Sequence, residues 1–125
     1  MKIVIIGPGA IGCLFAAFLS KTKEELWLLD KDSHRANIIH EQGIKLEGVS
    51  GNWLARVNAT HQTEKIKEAD LIIVCVKSYD TKAAILHAKN LVRPDTLVLT
   101  LQNGLGNLEI MGEVVGQEKV IGGVT

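Results

Sequence analysis

A glycine-rich turn near the amino terminus constrains the fold of this chain more than any other feature. Gly7, Gly9 and Gly12 form the pattern G-x-G-x-x-G directly after the β-branched run at residues 3–6. In this pattern the first glycine permits a tight turn, the second lets the backbone approach a pyrophosphate, and the third allows a helix to pack closely on the strand. Asp30 follows about 20 residues later, at the end of a second apolar run. The spacing predicts a strand, a turn and a helix that bind a dinucleotide.

The composition narrows the class of protein. The 125 residues suit one domain, and fourteen basic side chains balance fourteen acidic ones, which argues against nucleic acid or an anionic membrane as a partner. The glycine turn interrupts the uncharged stretch after Lys2 too early for a signal peptide or a membrane span, so we expect a cytoplasmic protein. Cys13 and Cys75 are predicted to be reduced core thiols, and no metal site is predicted. We interpret the four histidines as surface residues away from the site: His34, His40, His61 and His87.

The alternation of strand and helix patterns predicts an α/β fold. Near-continuous apolar runs at residues 71–76 and 96–101 are typical of parallel strands that are covered on both faces. We therefore predict a Rossmann-like, doubly wound, mostly parallel sheet with helices on both faces. Residues 44–58 alternate in polarity around Ser50-Gly51-Asn52, which predicts a hairpin insertion that replaces the usual crossover. The first helix, at residues 10–20, is apolar around most of its circumference, so we expect it to lie between the sheet and another element.

Polar side chains follow the predicted strands at one edge of the sheet. Ligands of an open α/β sheet bind outside the carboxyl ends of the strands, where Asp30, Lys77, Asn103 and residues 123–125 are expected together with the glycine turn. Lys77 suits a phosphate, a ribose or an anionic substrate. The amide of Asn103 can donate to a ribose or carbonyl and accept from an amide. A solvated lysine and an asparagine that serves only its turn are the alternatives.

Four segments carry a resemblance to a known family. They are Gly-Pro-Gly-Ala-Ile-Gly at 7–12, Val-Lys-Ser-Tyr-Asp-Thr at 76–81, Leu-Gln-Asn-Gly-Leu-Gly-Asn at 101–107 and Gly-Gly-Val-Thr at 122–125. In this order the chain resembles the N-terminal domain of the ketopantoate reductase family. The resemblance implies NADPH-dependent reduction of 2-dehydropantoate to pantoate, a step towards pantothenate and coenzyme A. The expected cofactor-binding residues are Gly7, Pro8, Gly9, Ala10, Ile11, Gly12, Asp30, Lys31, Val76, Lys77 and Asn103, of which Lys77 and Asn103 also lie near the substrate.

The resemblance also implies what these 125 residues lack. The family's proton-donating lysine and a substrate-binding glutamate belong to a helical C-terminal domain, which is absent from this sequence. We therefore expect no catalytic residue in residues 1–125 and no turnover by this chain alone. An apolar face that this domain normally buries is expected to be exposed and to promote self-association, and a homodimer is the protein partner that we consider.

The end of the second strand leaves two cofactors open. The family commonly has an arginine there to meet the 2′-phosphate of NADP, whereas this chain has Asp30 followed by Lys31. A carboxylate suits the free ribose hydroxyls of NAD and repels a phosphate by roughly 1–4 kcal/mol at contact distance. Lys31 offsets that repulsion if it folds back over the phosphate. The resemblance thus implies NADP(H), and the local chemistry favours NAD(H) nearly as strongly.

Two other functions stay open. One is another two-domain NAD(P)-dependent dehydrogenase of a small 2-oxo or 2-hydroxy acid. The other is a regulatory nucleotide-sensing Rossmann domain. That function does not explain the motifs around Lys77 and Asn103.

Overall fold

The computed structural model describes residues 1–7, 9–48, 51–76, 80–100 and 105–122. Within these ranges, strands and α-helices alternate along most of the chain. The strands are β1 (Lys2–Ile6), β2 (Glu25–Leu29), β3 (Ile44–Gly48), β4 (Gly51–Ala55), β5 (Asn58–Thr60), β6 (Ala69–Val74), β7 (Val92–Thr100) and β8 (Val120–Gly122). The helices are α1 (Ala10–Leu19), α2 (Ser33–Gln42), α3 (Thr63–Ile66), α4 (Thr81–Ala88) and α5 (Leu105–Val115), with short 3-10 turns at Lys89–Leu91 and Gln117–Lys119.

Six of the described strands form one parallel sheet in the order β5-β2-β1-β6-β7-β8. In the register of this sheet, Val4 of β1 lies opposite Trp27 of β2 on one side and Ile72 of β6 on the other. This is the doubly wound Rossmann order, so the predicted fold class is confirmed. The winding direction reverses between β1 and β6, and the crevice at the carboxyl ends of these strands is where such sheets bind ligands.

The core lies on both faces of the sheet. Ile3 and Ile5 of β1 are buried against α1 and the β3–β4 hairpin, whereas Val4 and Ile6 are buried against α4 and α5. Successive strand residues point to opposite faces, so a strand buried on both sides reads as a continuous apolar run. Helices on both faces were predicted from these runs, and the prediction is confirmed.

The predicted hairpin exists, but its place in the topology differs from the expectation. β3 and β4 pair in antiparallel register from Ile44 opposite Ala55 to Gly48 opposite Gly51, and Ser50 in the turn lies outside the described residues. Helix α2 still connects β2 towards β5, so the hairpin is added to the crossover and does not replace it. The sequence interpretation also missed β5, because Asn58–Thr60 is a three-residue strand without an apolar run.

Helix α1 is covered on one face only. Ala16 and Ala17 are fully buried against the sheet, but within the described residues the expectation that another element covers the opposite face is wrong. The opposite face carries four large apolar side chains at helical spacing that are 37–54% exposed: Ile11, Leu14, Phe15 and Phe18. In the described part of the chain, this outward face has only one aromatic neighbour, Trp53 of the hairpin, whose ring centroid is 5.9 Å from that of Phe18. We name these four residues the α1 apolar stripe. No helix within the described residues is long and apolar enough to cross a membrane.

Candidate functional site

The glycine turn after β1 has the close backbone packing that its spacing predicts. Gly7 has a φ of +100°, and a Cβ atom there would lie 2.8 Å from Cγ1 of Val76. A Cβ atom on Gly12 would lie 1.9 Å from the carbonyl oxygen of Gly7. Both positions therefore require glycine because the helix, the turn and the neighbouring strand touch one another there.

Gly9 differs from its two partners, because a Cβ atom on it would meet no described atom within 4 Å. The residue is the N-cap of α1, and no side chain caps this helix or places an acidic group in its first turn. Backbone N–H groups and the positive end of the helix dipole thus face the space beside Gly9. This arrangement fits a pyrophosphate. Pro8, another predicted cofactor residue, lies outside the described residues.

A cavity of about 600 Å³ opens at this end of the sheet. Its lining includes five of the residues that the sequence singled out as cofactor ligands: Gly7, Gly9, Asp30, Lys31 and Val76. Gly12 lies beneath the turn, and Ile11 belongs to the α1 apolar stripe. Lys77 and Asn103 lie outside the described residues, so their predicted roles remain predictions.

Asp30 is held by an arginine that the sequence analysis did not include in the site. The carboxylate of Asp30 is completely buried and accepts hydrogen bonds from Nε of Arg35 at 2.5 Å and from Nη2 at 2.8 Å. It also accepts the backbone N–H of Asp32 at 3.0 Å. The hydrogen bond to Asp30 raises the pKa of the Arg35 guanidinium. Asp30 is therefore paired within the protein in this structure and is not an open ribose acceptor.

Helix α2 brings Arg35 to Asp30. Asp32 is the N-cap of this helix and accepts the backbone N–H groups of His34 and Arg35 through Oδ1. The cap fixes the first turn of α2 next to the end of β2, so the third residue of the helix reaches back to the last carboxylate of the strand. An arginine in the first turn of the helix after an acidic strand end was the sequence signal for this pair.

Lys31 is paired with Asp80 in this structure. Its side chain is 76% exposed, and Nζ lies 3.9 Å from Oδ1 of Asp80, the residue that precedes α4. Both residues line the cavity. That Lys31 folds back over a 2′-phosphate stays a prediction.

Two histidines lie closer to the site than predicted. His61 and His87 both line the cavity, and Nε2 of His87 is 3.1 Å from the carbonyl oxygen of His61. The interpretation of these two histidines as remote from the site was wrong. His61 directly follows β5, the strand that was missed, and His87 reaches the cavity from α4. His34 and His40 are exposed, as predicted.

Both cysteines are half-buried thiols, and Cys75 lines the cavity. Burial raises the pKa of the Cys13 thiol, and it raises the pKa of Cys75 to about 11, so both thiols are protonated near neutral pH. The described ranges contain no group of three or more His, Cys, Asp or Glu side chains that could hold a metal ion.

Comparison with protein families identifies relatives over the whole chain. The model of the family described as ketopantoate reductase PanE/ApbA matches residues 3–125. A 2-dehydropantoate 2-reductase of Pyrococcus horikoshii is 42% identical over 125 residues, which are 100% of this chain and 40% of that protein. The chain thus spans about two fifths of the length of the curated relatives it matches.

Solved structures show the same architecture. A PanE/ApbA family ketopantoate reductase from Ralstonia eutropha JMP134 superposes with a TM-score of 0.86 at 33% identity, covering 98% of this chain and 40% of that one. A D-mandelate dehydrogenase, solved with NADH and anilino(oxo)acetate, superposes with a TM-score of 0.89 at 30% identity, covering 99% and 40% of the two chains.

Proposed function

Because the chain belongs to the ketopantoate reductase family, we propose that it is the cofactor-binding part of a 2-dehydropantoate 2-reductase. Such an enzyme reduces the ketone of 2-dehydropantoate to the alcohol of pantoate. The observation that carries the proposal is one cavity at the carboxyl edge of a Rossmann sheet, lined by Gly7, Gly9 and the Asp30–Arg35 pair. Family membership supplies the nicotinamide cofactor, and this cavity is its site in the proposal.

In this proposal, different residues of the cavity bind different parts of the cofactor. Gly9 and the N–H groups that open α1, at Ala10 and Ile11, hold the pyrophosphate. The end of β2 holds the adenosine ribose. Val76 at the end of β6, with Lys77 and Asn103 as implied by the family resemblance, lies beside the nicotinamide ribose and the substrate.

When bound, the nicotinamide supplies the hydride for the ketone carbon. The described cavity residues would bind and orient the cofactor, and the family resemblance implies that the group which protonates the ketone oxygen lies in another domain. We therefore propose that the proton donor comes from a helical domain outside these 125 residues. The share of the relatives' length that this chain spans is consistent with a further domain in the whole enzyme.

We propose NADP(H) as the preferred cofactor form. The family resemblance implies it, and Arg35 adds a cation at the end of β2 that the sequence analysis did not consider. The test is calorimetric titration of the chain with NADPH, NADP, NADH and NAD in parallel. Preference for the phosphorylated pair supports the proposal, and failure to bind any of the four refutes the assignment of a cofactor-binding domain.

The substrate requires a second experiment, because this chain alone is not expected to turn over. Residues 1–125 can replace the corresponding part of the Pyrococcus horikoshii relative, whose sequence aligns over all 125 residues. The chimera should oxidise NADPH when 2-dehydropantoate is added, and the intact relative is the control for the assay. A folded chimera that binds NADPH without this activity would count against the proposal that these residues serve a 2-dehydropantoate 2-reductase.

A second candidate function is a dehydrogenase of another small 2-oxo or 2-hydroxy acid. The likeness to D-mandelate dehydrogenase, at a TM-score of 0.89, favours it. The proposed chimera does not separate these substrates, since the borrowed domain would choose between them. Titrating the whole natural enzyme with both 2-dehydropantoate and phenylglyoxylate would separate them.

A further inference from the structure

The Asp30–Arg35 pair presents a guanidinium group to the cavity from a fixed position. Asp30 holds Nε and Nη2 of Arg35, whereas the arginine side chain remains 50% exposed and lines the cavity together with Gly7 and Gly9. We propose that Arg35, positioned by Asp30, selects the phosphorylated cofactor by binding the 2′-phosphate of NADP(H). This inference rests on the proposed function and names the residue that decides its cofactor form.

The hydrogen-bond geometry leaves donors for a phosphate. A guanidinium group is planar and carries five N–H donors, and its pairing with Asp30 uses the edge formed by Nε and Nη2. The N–H groups of Nη1 and the second N–H of Nη2 lie in the same plane and form a separate edge, which Asp30 does not use. One edge of Arg35 is therefore fixed by the protein, and the other is available for the bidentate contact that arginine makes with phosphate.

Burial decides against Asp30 as a direct ribose ligand. Its carboxylate is 0% exposed, and both oxygens already accept hydrogen bonds, Oδ1 from Arg35 and Asp32 and Oδ2 from Arg35. A ribose hydroxyl reaches this carboxylate only after Arg35 is displaced, which would leave a buried carboxylate without its counter-ion. The repulsion that an unpaired Asp30 would exert on a phosphate is offset by the guanidinium beside it.

Lys31 is the competing cation, and its geometry is less suitable. Its Nζ lies 3.9 Å from Oδ1 of Asp80, and the side chain is mostly exposed. A flexible ammonium offers a point charge, whereas the fixed guanidinium offers a planar fork without further loss of side-chain freedom. Arg35 is thus the specificity residue in this proposal, and Asp30 is its positioning residue.

The test compares the affinities of NADPH and NADH by calorimetry for the chain and its variants. Arg35→Ala should weaken NADPH binding by about 10- to 100-fold and change NADH binding by less than about threefold. Arg35→Lys should recover part of the NADPH affinity, since it keeps the charge and loses the fork. Arg93→Ala is the matched control. Arg93, at the start of β7, also pairs with a carboxylate, that of exposed Glu68, but it does not line the cavity.

Asp30→Asn tests the positioning role. Loss of the charged anchor should outweigh the relief of the carboxylate's repulsion of the phosphate and lower the ratio of NADPH to NADH affinity. In the Arg35→Ala background only the relief remains, so Asp30→Asn should raise the ratio there. If Asp30 is instead a ribose ligand, the same variant loses NADH affinity selectively and the ratio rises. A structural defect alone would weaken both cofactors together, so the ratio separates positioning from folding, and thermal unfolding of each variant checks the fold.

The outcomes separate this inference from the proposed function. Wild-type chain that binds none of the nicotinamide dinucleotides would overturn both. Wild-type binding with an unchanged NADPH to NADH ratio in Arg35→Ala would overturn the inference and leave the proposed function in place. If Lys31→Ala lowers the ratio of NADPH to NADH affinity and Arg35→Ala does not, the selection of the phosphorylated cofactor belongs to Lys31.

Discussion

The three glycines of the turn should separate folding from cofactor binding when each is replaced by alanine. A Cβ atom on Gly12 would stand 1.9 Å from the backbone oxygen of Gly7, so α1 must move away from the turn by more than an ångström. Overpacking of this kind costs about 1–3 kcal/mol and more when a backbone atom is the obstacle, so we expect Gly12→Ala to lose about 3 kcal/mol or more of unfolding free energy.

Gly9→Ala should behave in the opposite way. Its Cβ atom meets no described atom within 4 Å and its φ of −71° suits any residue, so only the modest cost of alanine at an N-cap applies, about 0.5–1 kcal/mol. The same methyl group occupies the place where a pyrophosphate approaches the backbone. Loss of one charge-assisted contact there should weaken binding of NADPH and NADH alike, by about 10- to 100-fold.

Urea unfolding followed by circular dichroism gives the first quantity, and calorimetric titration gives the second. Gly48→Ala in β3 is the matched control, because its Cβ atom also meets no described atom within 4 Å and it belongs to the hairpin, not to the described lining of the cavity. Wild-type cofactor affinity in a folded Gly9→Ala variant would refute the placement of the pyrophosphate. Wild-type stability in Gly12→Ala would refute the close packing of the helix on the turn.

Three further predictions concern other parts of the chain. Because burial raises the pKa of Cys75 to about 11, its alkylation by iodoacetamide at pH 7 should be at least about 100-fold slower in the folded chain than in urea, and comparable rates would contradict its burial. Hydrogen bonds from the backbone N–H groups of Arg35 and His34 lower the pKa of Asp32, so its capping stability is present above about pH 4 and is lost as the pH falls through the lowered value. The stability difference between wild type and Asp32→Ala should therefore shrink in acid, and a constant difference would argue against a charged cap. Leu14→Lys in the α1 apolar stripe should reduce self-association in sedimentation experiments and change the unfolding free energy by less than about 0.5 kcal/mol. A wild-type chain that is monomeric at high concentration would show that the stripe does not drive self-association.

The sequence was sufficient for those parts of the fold that depend on local pattern. The glycine spacing and the apolar run at residues 3–6 predicted β1, the turn and α1 because each position there has one dominant physical requirement. The buried strand β6 was predicted for the same reason, since both of its faces are covered by helices. β5 was missed because three residues carry no periodicity, and its pairing with β2 depends on the sheet as a whole.

That single omission also explains the misplaced histidine. Once β5 joins the sheet beside β2, the residue after it must lie at the carboxyl edge, and His61 does. His87 reaches the same cavity from α4, whose position over the edge depends on packing against α5 and the sheet. Neither contact is local in sequence, so an inspection of individual histidines could not find them.

The Asp30–Arg35 pair shows why a correct residue can receive an incomplete role. Asp30 was identified from its position at the end of β2, and its charge alone favoured NAD(H). The five-residue separation to Arg35 includes a strand end, a cap and the start of a helix, so the distance between the two side chains depends on how Asp32 sets the first turn of α2. With both carboxylate oxygens occupied by that arginine, the negative charge of Asp30 is neutralised, and the exposed group of the pair is the guanidinium. A cofactor assignment from an acidic strand end should therefore include the first helical turn that follows, because an arginine there can occupy the carboxylate that would otherwise accept a hydrogen bond from a ribose hydroxyl.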